Sequence, residues 1–354
     1  MTEATRTLGR ARYVAAQGLR VAWYGAHYAV IRPEGGAHNR PGEPKFEPSN
    51  PKPDLSLMRK AYFELFRQDM ANVEAGLYPA PKDVRLRDLP RALKSSRLFM
   101  RDTSEVERRR VSRNGTEVRD DPTADPKRFP AYYRQNIHYQ SDGWLSDESA
   151  RIYDTQVEIL FTGTADAMRR AVLAEIAREL KGRDQRKMHY LDMACGTGRF
   201  LRQTMETFPR LQTSGLDLSP NYCASARRKV APWSHVDVIE GAGEAMPLED
   251  ATLDILANIY LFHELPPKIR GQVIAEVGRV VKPGGVFVLA DSLQFGDRPE
   301  IDGLLEYFPQ AFHEPYFKSY LAYDFASVLE AAGFKHERQT LAFMTKVSVW
   351  RKQS

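Results

Sequence analysis

The chain has 354 residues, of which 42% are apolar and 27% charged, and its formal net charge is +5. That length supports a large domain and a smaller one around a sizeable core. The mild positive charge permits attraction to phosphate or anionic lipid without requiring it. Cys195 and Cys223 are the two cysteines, and with no CxxC pair they argue against a disulfide framework or a cysteine zinc site.

Residues 1–54 read as a basic helix followed by a linker. Leu8, Arg12, Ala15, Leu19, Ala22, Trp23, Ala26 and Val30 recur near helical spacing, with Arg6, Arg10 and Arg20 interleaved. Arg20 breaks what would be the apolar core of a signal peptide. Residues 8–30 fit a helix docked on the core, an interfacial helix making peripheral membrane contact, or an organelle transit peptide. Pro33 to Pro53 is rich in helix breakers and reads as a linker or an irregular wrap.

Residues 55–150 are expected to form a mainly helical region acting as a lid. Leu55 to about Ala75 is helical, and Leu77 to Thr123 is charged and Pro-punctuated, with no clear period. The stretch YYRQNIHYQSDGWLS carries Tyr132, Tyr133, Asn136, His138, Tyr139 and Trp144. It suits a lid, because aromatic side chains bury large areas and keep polar tips. A plain hydrophobic seam is the other reading.

Residues 151–354 show regular alternation. Tyr153 to Leu180 predicts one or two helices. Strands follow at 187–193, 212–217, 236–240, 253–258 and 286–291, with helices at 199–207, 220–230 and 267–281 between them. A helix at 323–332 and two strands within 334–351 complete the series. The expected fold class is α/β, a doubly wound, mostly parallel seven-stranded Rossmann-like sheet.

In such a sheet the ligand sits beyond the carboxyl ends of the strands. The first strand runs into Asp192-x-Ala194-x-Gly196-x-Gly198. Asp217, about 20 residues on, is placed to accept both ribose hydroxyls. Leu201 stands where a dinucleotide fingerprint needs Gly or Ala, and Asp192 would repel a pyrophosphate but suit an ammonium group. A ligand with a ribose at one end and an amino acid at the other fits better.

These motifs resemble the class I S-adenosylmethionine-dependent methyltransferases, over roughly residues 187–350. LDMACGTGRF is similar to their first motif and SGLDLSP to their second. EGAGEAMPLEDATLDIL resembles the adenine-holding stretch, and VVKPGGVFVLAD the turn into the fifth strand. The resemblance implies S-adenosylmethionine as cofactor, held by Asp192, Ala194, Cys195, Gly196, Gly198, Asp217, Leu218, Gly243, Glu244 and Asn258. Ala242 stands where many members carry an adenine-binding Asp, which leaves adenine to backbone near Gly243 and to Glu244 or Met246.

Each of two loops expected at the mouth of the sheet carries a His-Glu pair, His263-Glu264 and His313-Glu314. Neither has HExxH spacing, so no metal is expected. His263, with Glu264 beside it, is the candidate base, since an ordinary histidine titrates near pH 6.5. His313 is a weaker candidate. Tyr139, Trp144, Tyr260 and Tyr316 are candidate acceptor contacts.

The fourth-strand exit, Asn258-Ile-Tyr-Leu, lacks the Asn-Pro-Pro-aromatic loop of amino-methylating nucleic-acid enzymes, so no nucleic-acid partner is expected. The resulting reading is methyl transfer to a small apolar or aromatic acceptor that is lipid-, quinone- or polyketide-like, in a cytoplasmic protein with peripheral membrane contact an option. An RNA or protein methyltransferase and a non-catalytic cofactor-binding protein are the alternatives.

Overall fold

The computed structural model describes residues 3–31, 46–82 and 89–354. Most of the Pro/Gly-rich linker, and residues 83–88 of the charged stretch, lie outside the described residues. The strands are β1 (His189–Met193), β2 (Gln212–Asp217), β3 (Asp237–Glu240), β4 (Leu253–Ile259), β5 (Val281–Ser292), β6 (Phe334–Ala342) and β7 (Thr345–Lys352). They form one sheet in the order β3-β2-β1-β4-β5-β7-β6. The first five are parallel, and β7 runs antiparallel between β5 and β6. β1 is flanked by β2 and β4, so Asp192 sits opposite Gly215 on one side and Ala257 on the other. That places the β1 loop where strand order reverses, the usual place for a ligand.

Helices cover both faces. α5 (Ala165–Leu180) brings Met168, Val172 and Ile176 onto Tyr190, Ile255 and Val288. α8 (Pro267–Val280) brings Val273 and Val277 onto the opposite face, with Leu191, Leu256 and Phe287. Neighbouring residues of β1, β4 and β5 thus alternate between two apolar layers, as a sheet buried on both faces requires.

α6 (Arg199–Thr207) and α7 (Pro220–Val230) match their expected ranges. Ser219 caps α7, its hydroxyl accepting from Tyr222 N at 3.1 Å. The predicted segment 153–180 is two helices, α4 (Asp147–Leu160) and α5. They break at Thr162 and Gly163, both in the left-handed region. A side chain at Gly163 would lie 3.2 Å from the backbone of Arg20 and Val21.

Three helices escaped the sequence pattern. In α3 (Leu89–Ser112) arginines on the buried side obscure the period. α9 (Asp302–Ala311) forms with Pro309 inside it, and α10 (Phe317–Leu321) follows it. α11 (Phe325–Ala331) falls within the expected 323–332.

α2 (Leu55–Glu74) packs beside α5, and α1 (Glu3–Ile31) packs beside α4 and α2. The buried side of α1 is polar: Tyr13, Gln17 and Arg20 face inward. Tyr13 hydrogen-bonds Asp69, which also pairs with Arg170. Arg20 meets Glu158 at 2.5 Å and Asp166 at 3.0 Å. Arg169 and Arg199 share those carboxylates. The outward stripe, Leu8, Ala15, Leu19, Ala22, Ala26 and Val30, is exposed. No helix among the described residues is long and apolar enough to cross a membrane.

The Arg20 contacts make α1 part of the folded body. Removing one partner from a buried charge cluster costs about 3–5 kcal/mol. Arg20→Met is therefore expected to lower stability by that order in urea unfolding. An unchanged midpoint would show that α1 does not depend on this anchor.

Candidate functional site

The chain leaves β1 through a turn in which Ala194, Gly196 and Gly198 have φ of 57°, 56° and 80°. Gly198 is required for packing, since an added Cβ would lie 2.6 Å from Ala226 Cα on α7. α6 and α7 can therefore start side by side. Gly196 N donates to Asp217 Oδ2 at 2.8 Å, and Ser219 N to Oδ1 at 2.9 Å. Cys195 N donates to Leu216 O at 2.9 Å, which ties the turn to β2.

A cleft of about 820 Å³, counting space open to solvent, opens beside this turn. Ala194, Gly196, Asp217 and Leu218 line one part, and Gly241 to Glu244 line the next. Tyr132, Tyr133, Trp144, Tyr153, Tyr222 and Tyr260 supply aromatic wall, and Glu264 borders it. The 128–144 segment is pinned across this opening. Tyr132 donates to Glu244 at 2.5 Å, Arg128 pairs with Glu240, and Ser219 Oγ donates to Trp144 O at 2.5 Å.

Asp192 lies near the end of β1, directly before Met193 and Ala194, which line the cleft, and is not itself a lining residue. It is 2% exposed, and its Oδ2 has no hydrogen-bond partner. Burial, with the neighbouring Asp217 adding to it, pushes its carboxyl up to about 8. Burial raises Asp217 to about 6 against the pull of its amide hydrogen bonds.

Of the sequence-named residues, Tyr132, Tyr133, Trp144, Ala194, Gly196, Asp217, Leu218, Ala242, Gly243, Glu244, Tyr260 and Glu264 line the cleft. The others sit elsewhere. Cys195 Sγ packs against Gly215. Asn258 is fully buried, its amide donating to Met193 O at 3.1 Å. Tyr316 OH accepts from Gln135 at 3.0 Å. Tyr139 packs on His313 with ring centroids 5.7 Å apart. His313 Nε2 lies 2.9 Å from Gln135 Oε1, and its ring fills the space against Gly115. His313 is thus packing, not a group at the cleft.

His263 also differs from expectation. It is buried behind Glu264, with Nδ1 2.5 Å from Asp291 Oδ1 and Nε2 3.5 Å from Glu264 Oε1. Burial alone would lower its pKa, but the two carboxylates overcome that and hold it well above 6.5. An imidazolium has no lone pair with which to take a proton. Both ring nitrogens thus face carboxylates, which does not match the arrangement expected of a free base. Tyr153, Tyr222, Leu265 and Val273 line the cleft without any sequence signal, because only the fold brings them there.

A family model described as a methyltransferase domain matches residues 191–285. The chain is 31% identical over 144 residues to a demethylmenaquinone methyltransferase of Chlorobaculum tepidum, a match covering 40% of this chain and 55% of that one. It is 29% identical over 212 residues to the demethylmenaquinone methyltransferase of Chlorobaculum parvum, covering 54% and 83%. An uncharacterized methyltransferase of Synechocystis is 31% identical over 159 residues, covering 43% and 68%. With the sheet order, the turn and Asp217 in place, the chain belongs to the class I S-adenosylmethionine-dependent methyltransferases.

The cofactor of this class is S-adenosylmethionine, and the residues fit it. The unpartnered Asp192 oxygen suits its ammonium group, and Asp217 at the cleft suits its ribose hydroxyls. Asp217→Ala removes charge-assisted bonds worth about 1.5–3 kcal/mol each. Affinity for the demethylated product should fall by tenfold or more in calorimetry, and an unchanged affinity would dismiss the role. The same carboxyls set a pH dependence. Unfolded, both titrate near 3.8; folded, they keep their protons up to about 8 and about 6. The ligand-free protein is therefore expected to lose stability as pH rises from about 4 to 8, most steeply below about 6. Asp192→Asn should remove most of that slope.

Proposed function

We propose that the protein transfers the methyl group of S-adenosylmethionine to a small, apolar, quinone-like acceptor. The observation that carries this is the aromatic wall of Tyr132, Tyr133, Trp144 and Tyr260, continuous with the cofactor turn and bordered by Glu264. Flat rings stack on such walls, and the polar tips of tyrosines suit ring oxygens. The names of the demethylmenaquinone methyltransferase relatives point the same way.

When bound, the cofactor would supply an electrophilic methyl, with its sulfur keeping the C–S bonding pair as a neutral thioether and the acceptor supplying the pair of the new bond. The protein's own residues align the acceptor behind that methyl and exclude water, an effect worth roughly 7–11 kcal/mol. The pinned 128–144 segment closes the aromatic side. Glu264, oriented by His263, faces the acceptor side and suits a ring hydroxyl.

The α1 stripe extends the same reading. Leu8, Leu19 and Val30 are 61%, 63% and 70% exposed, and Arg12 lies among them. An apolar stripe with basic residues suits the surface of an anionic bilayer, where quinones partition.

With labelled cofactor and anionic vesicles carrying demethylmenaquinol, the label should enter the quinol. Label found in RNA or protein instead would favour those acceptors. Leu8, Leu19 and Val30 all changed to Gln should release the protein from vesicles with product affinity intact. Retention on vesicles would refute the membrane contact.

A further inference from the structure

We infer that His138, Glu264 and Glu314 form a site for one divalent transition-metal ion at the edge of the cleft. The three residues come from separate segments. His138 lies in the short turn Ile137–Tyr139, Glu264 in the turn after β4, and Glu314 between α9 and α10. One ligand atom from each lies within 4.8 Å of the others. His138 N donates to His313 O at 3.2 Å, which ties two of the segments together. The rings of Phe308 and Phe312 pack edge-on against the imidazole, at 6.0 and 5.6 Å between centroids.

The carboxylates are buried beyond what their present partners justify. Glu264 is 9% and Glu314 5% exposed. One oxygen of each is engaged, Glu264 Oε1 by His263 and Glu314 Oε1 by His138. Glu264 Oε2 and both Glu314 oxygens are buried with no hydrogen-bond partner, the ion pair with His138 being the one contact of Glu314 Oε1. Buried carboxylate oxygens left in this way are costly unless a cation or donors satisfy them. A divalent ion satisfies both at once.

One imidazole with two carboxylates suits Zn²⁺, Mn²⁺ or Fe²⁺, whereas Mg²⁺ and Ca²⁺ favour all-oxygen sites. Three protein ligands leave a position open. Of the three, Glu264 borders the cleft, so an ion held there would sit at the cleft's edge. An acceptor hydroxyl bound there would lose its proton to water more readily. This last step rests on the methyl-transfer reading above, but the ion site itself does not. HExxH spacing within each His-Glu pair does not bear on this site, since each pair contributes only its glutamate and the histidine comes from the aromatic segment.

The test uses the full chain, without a tag or chelator, and needs no acceptor. Metal analysis and calorimetric titration with Zn²⁺ and Mn²⁺ should show one ion per chain. His138→Ala and Glu314→Gln should each weaken binding by about 100-fold or more, since even residues behind the ligands commonly cost 10–100-fold. Affinity for the demethylated cofactor should stay unchanged in both, which shows that they fold. If Glu314→Gln fails to fold, His138→Ala decides, because its side chain is 26% exposed. No ion bound by the wild type, or the same affinity in the folded variants, would overturn the site. Failure of the quinol assay with the ion still bound would overturn only the acceptor reading.

Discussion

Two buried carboxylates at the ends of adjacent strands constrain everything around them. Asp192 and Asp217 are 2% and 9% exposed; burial raises both, and Asp217 adds to the cost of ionising Asp192. Asp217 is held by amides of the turn and of α7. Asp192 Oδ2 has no hydrogen-bond partner. A fold that keeps two such acids together without a ligand carries a cost that a cationic, hydroxyl-bearing ligand relieves. The left-handed turn, Gly198 against α7 and the parallel strands on either side of β1 all hold that pair in place.

The rest of the molecule is built outward from this point. α6 starts at the turn, and its Arg199 enters the same ion network as Arg20 of α1. The N-terminal helix is thereby coupled to the helix that begins the cofactor site. On the other side, Tyr132 and Trp144 reach over the cleft through Glu244 and Ser219. Cofactor turn and aromatic wall are thus one connected surface. The polar side of α1 is spent on the core, which leaves its apolar stripe outside, the reverse of an ordinary amphipathic helix.

The sheet was legible because its signals are local. Short apolar runs, Ser219-Pro220 and the Gly turn are each read within a few residues, and α6, α7 and β2 match residue for residue. The helical period of α1 was legible too, but not its polarity, since Arg20 finds partners more than 130 residues away. α9 was hidden by Pro309 and α3 by its charges. In the site, Asp217 and the turn could be found from spacing alone. The state of His263 could not, because Asp291 is 28 residues away and becomes its neighbour only through pairing of β4 with β5. The convergence of His138, Glu264 and Glu314 is equally invisible in the sequence, being a property of three loops meeting.

The most direct measurement is the number of protons released when the demethylated cofactor binds at pH 7, from calorimetry in buffers of different ionisation enthalpy. A carboxyl with a pKa of about 8 is mostly protonated there and must ionise to meet an ammonium group. The account predicts release of between about half and one proton per chain, lost in Asp192→Asn. Binding with no proton release, or release unchanged in that variant, would contradict it.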